Sequence, residues 1–217
     1  MEIGELLPIA IDSAGKSFAK GELAFIALTS KVERPFVDRL SYQLYRTLSP
    51  ERYKVAREFP IGGARADIAV LEGSLLCAVL EAKAMCSADC TREDGLRREY
   101  PERLHMDLQR YATSRSGLEI FCLLLATHPL VPPPPHLGHI VKYSRLLTGA
   151  FRTHTSAAGI REAANANLAS HIREEVLLAA ASIDAGEAFG VPVELLWWLY
   201  GPFVVPNSLT ILRTGAA

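Results

Sequence analysis

Three ionisable residues have the types and spacing to do chemistry together. Asp67 sits in Ala66-Asp67-Ile68-Ala69-Val70, and Glu81 and Lys83 sit in Val79-Leu80-Glu81-Ala82-Lys83-Ala84. On a strand, residues two apart project to the same face, roughly 7 Å apart along the chain. Glu81 and Lys83 therefore share a face and Ala82 takes the other. Two charges at the end of an apolar strand are costly unless they pair or bind an ion. Asp67 comes fourteen positions before Glu81, which puts it on a neighbouring strand if the chain turns near 72–74. Two carboxylates and a backbone carbonyl are a ligand set for Mg²⁺, a hard cation that prefers oxygen and keeps several waters. Such an ion polarises a phosphoryl oxygen and acidifies water. A lysine beside it can orient that water or stabilise developing negative charge. Phosphodiester hydrolysis is the chemistry this trio would support.

The surrounding elements must bring these residues together. Residues 53–61 read as a strand, 62–63 as a Gly-Gly turn and 65–71 as a second strand, together a hairpin. Residues 75–84 form a third strand, nearly all apolar before Glu81, which is the pattern of a central strand covered on both faces. Ahead of them, Phe36, Val37, Leu40, Leu44 and Leu48 recur at helical steps. Ser30 with Glu33 has the form of a capping box, and Ser49-Pro50 stops the helix. Residues 92–115 read as a charged helix with Tyr100, Leu104, Leu108 and Tyr111 on one stripe, and 120–127 as a buried strand. Residues 5–12 and 21–29 read as two further strands. After the proline run at 132–135, segments 140–151 and 160–181 read as helices. The expected architecture is α/β: a mixed central sheet flanked by helices, with a core over about 30–130 and a helical extension over about 136–217 in one domain spanning 1–217.

Asp67 followed by Glu81-Ala82-Lys83, in that strand and helix order, resembles the PD-(D/E)xK phosphodiesterase superfamily, which includes many restriction endonucleases, junction resolvases and RecB-type nucleases. The likeness covers about Val32 to Leu130. It implies a restriction-endonuclease-like fold and metal-dependent cleavage of nucleic acid, DNA in the first instance, with Mg²⁺ as cofactor and Mn²⁺ able to substitute. Residue by residue, it implies that Asp67 and Glu81 bind the metal by their carboxylates and Ala82 by its carbonyl. Lys83 would position or help deprotonate the attacking water. Glu33 matches an extra acidic metal or water ligand on the first helix. Gln109 matches a polar residue that lines the site. There are departures: Ala66 stands where proline is common. Thr113 stands where RecB-type members, counting four from the glutamine, carry tyrosine. A second reading keeps the fold without the activity, as a nucleic-acid-binding or protein-interaction module.

Composition sets limits on these readings. The 217 residues are 49% hydrophobic and 22% charged, with 23 Lys+Arg against 24 Asp+Glu. A balance near neutrality excludes a protein held to nucleic acid by bulk charge alone, but leaves room for a local basic groove. Basic residues do gather at Lys142, Arg145, Arg152 and Arg161. Arg57, Arg65, Arg97 and Arg98 are further candidates for phosphate contact. Two uncharged stretches, 120–141 and 195–212, are broken by prolines and do not suit a membrane span. Cys77, Cys86, Cys90 and Cys122 lack a framework spacing, and the first residues lack a signal-peptide pattern, so a reduced cytoplasmic protein is expected. Cys86 and Cys90 with His105 fall short of a zinc-finger pattern. His128, His136 and His139 flank the proline run and read as loop residues. The apolar segment 195–205 either packs into the core or forms a homodimer interface.

Overall fold

The computed structural model describes residues 2–61, 63–92, 100, 106–107, 109–111, 117–172 and 176–204. The chain runs α1 (Ile3–Lys16), α2 (Glu22–Thr29), α3 (Glu33–Thr47), β1 (Tyr53–Ile61), β2 (Ala64–Glu72), β3 (Leu75–Cys86) and a short α4 (Ser87–Cys90). Beyond these come β4 (Glu119–Pro129), α5 (Ser144–His154), α6 (Ala157–His171), β5 (Leu177–Ala188) and β6 (Val191–Val204). The six strands form one sheet in the order β1-β2-β3-β4-β6-β5. β1, β2 and β3 are an antiparallel meander. β3 and β4 run parallel, Ala78 to Cys86 beside Glu119 to Thr127, so the chain between them crosses over one face. The architecture is thus a mixed α/β sheet flanked by helices.

Burial follows the alternation of side chains. On one face, Ile68, Leu80, Ala82, Leu123, Leu125 and Trp197 pack with Leu7, Ile11, Leu28, Phe36 and Leu40 from α1, α2 and α3. On the other, Ala69, Val79, Met85, Leu124 and Trp198 pack with Tyr111, Ala164 and Leu168. β4 is buried along nearly its whole length, as an unbroken apolar strand at the centre of a two-sided sheet should be.

Three expectations are corrected. Residues 5–12 and 21–29 are helices, not strands. In α1, Leu6, Leu7, Ala10, Ile11 and Ala14 are buried, a three- and four-residue recurrence that a short apolar run conceals. The extension expected to be helical over 136–217 is helical only in part: beyond α6 the chain forms β5 and β6, which complete the sheet. An alanine-rich stretch (Ala179, Ala180, Ala181) was enough to suggest helix, yet pairing with β6 makes it an edge strand. Trp197, Trp198, Leu199 and Tyr200 on β6 are buried within the fold. His128 is no loop residue. It lies in β4, fully buried, with Nδ1 3.0 Å from the Ser87 hydroxyl. Of the expected helix over 92–115, Tyr100, Met106, Asp107, Gln109, Arg110 and Tyr111 are helical; Arg97, Arg98, Leu104, His105 and Leu108 lie outside the described residues. Among the described residues, no helix is long and apolar enough to cross a membrane.

Candidate active site

The site begins where two strands part. β2 and β3 are paired up to Ile68 and Leu80. The β1–β2 ribbon stays intact beyond that point, with Phe59 opposite Ala66 and Ile61 opposite Ala64. In the rung between Arg57 and Phe59 stands Glu58, whose φ of 49° is uncommon for a residue with a side chain. β3 stays with β4 as far as Cys86, so its edge facing β2 is left without a strand. Two backbone N–H groups on that edge need acceptors. Both find carboxylates: Ala82 N–H donates to Asp67 Oδ2 at 2.8 Å, and Ala84 N–H donates to Glu33 Oε2 at 2.8 Å. Extending the observed register by one rung puts Asp67 opposite Glu81.

This explains why Glu33 is not a helix cap. α3 starts at Glu33 with Val32 before it. Ser30 instead closes α2, its N–H and hydroxyl both donating to the Ile26 carbonyl. The Glu33 side chain is thereby released to reach 51 positions along the chain to β3.

Glu81 and Lys83 share the other feature of the site, a buried ionic knot. Lys83 Nζ lies 2.5 Å from Glu81 Oε1 and 3.3 Å from Asp107 Oδ2. Tyr111 donates its hydroxyl to Glu81 Oε2 at 2.9 Å and also lies 3.3 Å from the Arg65 carbonyl. Asp107 is tied in turn to Arg110 at 2.9 Å. Asp107 and Tyr111 are four apart, one turn on the same helix face. The sequence reading named neither as a site residue. Their signal was present, since Tyr111 was on the apolar stripe and Asp107 is the acid one turn before it. Gln109, the residue chosen instead, is exposed and does not line the cleft.

A cavity of about 510 Å³ opens over this knot, bordered by Glu33, Glu81, Lys83, Asp107, Tyr100 and Met106, with Lys31, Arg65 and Arg110 contributing positive charge. Asp67 stands behind the wall, against β3. The electrostatics follow from this crowding. Burial, and then the charge of Glu81, push the Asp67 carboxyl up from 3.8 to about 7, against the Ala82 N–H that favours its ionised form. Burial also raises Glu81, with Lys83 opposing. Burial alone would lower Lys83, but the Glu81 and Asp107 carboxylates outweigh it and hold the ammonium above its usual value. Burial and the Glu81 charge keep Tyr111 a neutral phenol that donates.

Asp67 Oδ1 and Glu33 Oε1 accept no hydrogen bond among the described residues. In an extended strand the N–H and C=O of one residue point to the same edge, so the Ala82 carbonyl faces the gap between these carboxylates. Among the described residues, no three His, Cys, Asp or Glu side chains gather at metal-holding spacing. The oxygen donors here are two carboxylates braced on β3, the Glu81 carboxylate beside them and a main-chain carbonyl. Cys86 and Cys90 form no such group: the Cys90 thiol lies 2.9 Å from Met85 Sδ, and Cys86 bonds Asp89. Of the residues picked out by spacing, Asp67, Glu81, Ala82, Lys83 and Glu33 come together, and Gln109 does not. No family model matches the chain, nor does any curated protein or solved structure.

Proposed function

We propose that the protein is a Mg²⁺-dependent nuclease of the restriction-endonuclease-like fold, hydrolysing phosphodiester bonds in DNA. What carries this reading is the parting of β2 from β3, which leaves Glu33, Glu81 and Lys83 lining one cleft, with Asp67 directly behind its wall and Asp67 and Glu33 holding the vacant β3 edge. A divalent cation fits the donor set there: Asp67 Oδ1 and Glu33 Oε1 accept no hydrogen bond among the described residues, and positive charge between these carboxylates and Glu81 would relieve their crowding. Asp67, Glu81, the Ala82 carbonyl and Glu33 would hold Mg²⁺ or Mn²⁺. When bound, the ion supplies charge against the phosphoryl oxygens and acidifies a water.

The chain's own groups would do the rest. Lys83, kept as an ammonium by Glu81 and Asp107, suits positioning the attacking water and stabilising charge on the phosphorane-like transition state. It is a poor base in that state. Tyr111 and Asp107 fix Glu81 and Lys83 from the opposite side. Lys31 and Arg65 at the cleft mouth can take the phosphates on either side of the scissile bond. The four cysteines are free thiols, in keeping with a reduced, cytoplasmic setting. One observation favours a module that binds nucleic acid without cutting it: both Glu81 oxygens already have partners.

The test is incubation of the purified protein with labelled linear, circular and single-stranded DNA plus Mg²⁺ or Mn²⁺. The nuclease reading expects metal-dependent cleavage by the wild type and none by Lys83→Ala or Asp67→Ala. Equal cleavage by all three points to a contaminant, and binding without cleavage to the inactive module.

A further inference from the structure

The basic stretch between 142 and 161 contains Lys142, Arg145, Arg152 and Arg161 and no acidic residue. The fold sorts these four. Arg161 is spent on an ion pair with Glu194. Lys142, Arg145 and Arg152 form no ion pair among the described residues. Arg145 and Arg152, seven apart on α5, are exposed and line one open cavity of about 600 Å³ with Pro135, His139, Ser144 and Thr148. No acidic side chain borders it.

This cavity is linked to the cleft through the backbone. Lys142 N–H donates to the Leu28 carbonyl at 2.6 Å, which fastens the start of α5 to the end of α2. Three residues after Leu28 comes Lys31, at the mouth of the cleft. The Lys142 ammonium lies 5.2 Å from the centre of the Tyr143 ring, a contact that leaves its charge unneutralised. Lys31 and Lys142 thus flank the backbone bond that joins the end of α2 to the start of α5, and Arg145 and Arg152 follow on α5. Arg145 and Arg152 are two helical turns apart, about 10 Å, which is close to three base-pair rises of a duplex. A concave surface with guanidinium groups and no carboxylates suits a regularly spaced polyanion.

We infer that this cavity is a second contact for the DNA backbone. A duplex seated in the cleft continues past Lys142 onto α5, where Arg145 and Arg152 hold phosphates outside the cutting position. The inference rests on the nuclease reading for what occupies the cleft, and it adds a track that sets how long a duplex the protein engages.

Fluorescence anisotropy with labelled duplexes of about 8 and about 30 base pairs, titrated across rising NaCl without divalent metal, tests it. The wild type should bind the longer duplex more tightly. Arg145→Gln/Arg152→Gln should weaken that binding about 10- to 100-fold at low salt and reduce the salt slope by about 2, with binding of the short duplex unchanged. Arg46→Gln/Lys54→Gln, which removes equal charge from exposed positions remote from the cleft, should bind as wild type. Wild-type affinity and slope in the α5 variant, or an equal loss in the control, overturns the inference. Loss of the long-duplex advantage supports it, whether or not the wild type cuts DNA. Metal-dependent cleavage with an unchanged α5 variant leaves the nuclease standing and removes the track.

Discussion

Asp67→Asn is the perturbation whose sign is hardest to reproduce by any other account of the site. Asparagine matches aspartate in shape, and its Oδ1 can accept the Ala82 N–H in the same way. Only the charge is lost. In the metal-free protein the Asp67 carboxyl is displaced from 3.8 to about 7, first by burial and then by Glu81. Between those values the unfolded chain ionises Asp67 and the native protein keeps it protonated. The native state then binds more protons, so wild-type stability falls as pH rises from about 4 to about 7. At about 1.4 kcal/mol per pH unit the ceiling is roughly 4 kcal/mol, and partial exposure reduces it to about 2. For a chain of this length that is roughly 4–8 °C in Tm. Metal-free Asp67→Asn should therefore be more stable than wild type at pH 7.5, and the two should converge near pH 4. Mn²⁺ should raise the Tm of the wild type and leave the variant unmoved. Thermal melts at both pH values, in EDTA and in Mn²⁺, provide the readout. A variant less stable than wild type in EDTA at pH 7.5 would mean that Asp67 is ionised and favourably paired, and the crowded-carboxylate account would be wrong.

Other consequences are more local. Metal affinity should fall about tenfold per pH unit below 7, because binding displaces a proton from Asp67; calorimetric titration at several pH values measures it. Tyr111→Phe removes the hydroxyl bonded to Glu81 and near the Arg65 carbonyl, and should cost about 1–2 kcal/mol in denaturant unfolding and lower cleavage without abolishing it. Lys83→Met should lower the cleavage rate by at least about 100-fold while Mn²⁺ still raises the melting temperature. Gly15→Ala should destabilise by about 1–2 kcal/mol, although alanine ordinarily improves a helix. The added Cβ would lie 2.6 Å from Ile183 Cγ2, so a neutral or stabilising result would mean that α1 does not pack on β5 this closely.

The placing of Asp67, Glu81 and Lys83 was legible because strand geometry has a short period. Once 65–71 and 75–84 are strands joined by a tight turn, Asp67 must fall beside Glu81, and Glu81 and Lys83 must share a face. Glu33 was legible as an acidic residue on the right helix, but not in its task. The capping reading was equally consistent with the sequence, and only the Ala84 N–H, left without a strand partner and bonded to Glu33 from 51 positions away, decides against it. Asp107 was missed because its role depends on the turn of a helix relative to Lys83. Gln109, two positions on, faces elsewhere. The outer elements were misread for a different reason. Pro8 lies inside α1 and the short apolar runs around it carry no decisive period, while the alanines of β5 prefer helix in isolation. In both cases packing on the sheet overrode local preference.

Mn²⁺ titration followed by electron paramagnetic resonance tests the proposed shared ion most directly. The account predicts one tightly held Mn²⁺ per wild-type chain at pH 7.5, lost in Asp67→Asn and in Glu81→Gln, and retained in Lys83→Met. No bound Mn²⁺ in the wild type, or the same occupancy in both carboxylate variants, would contradict it.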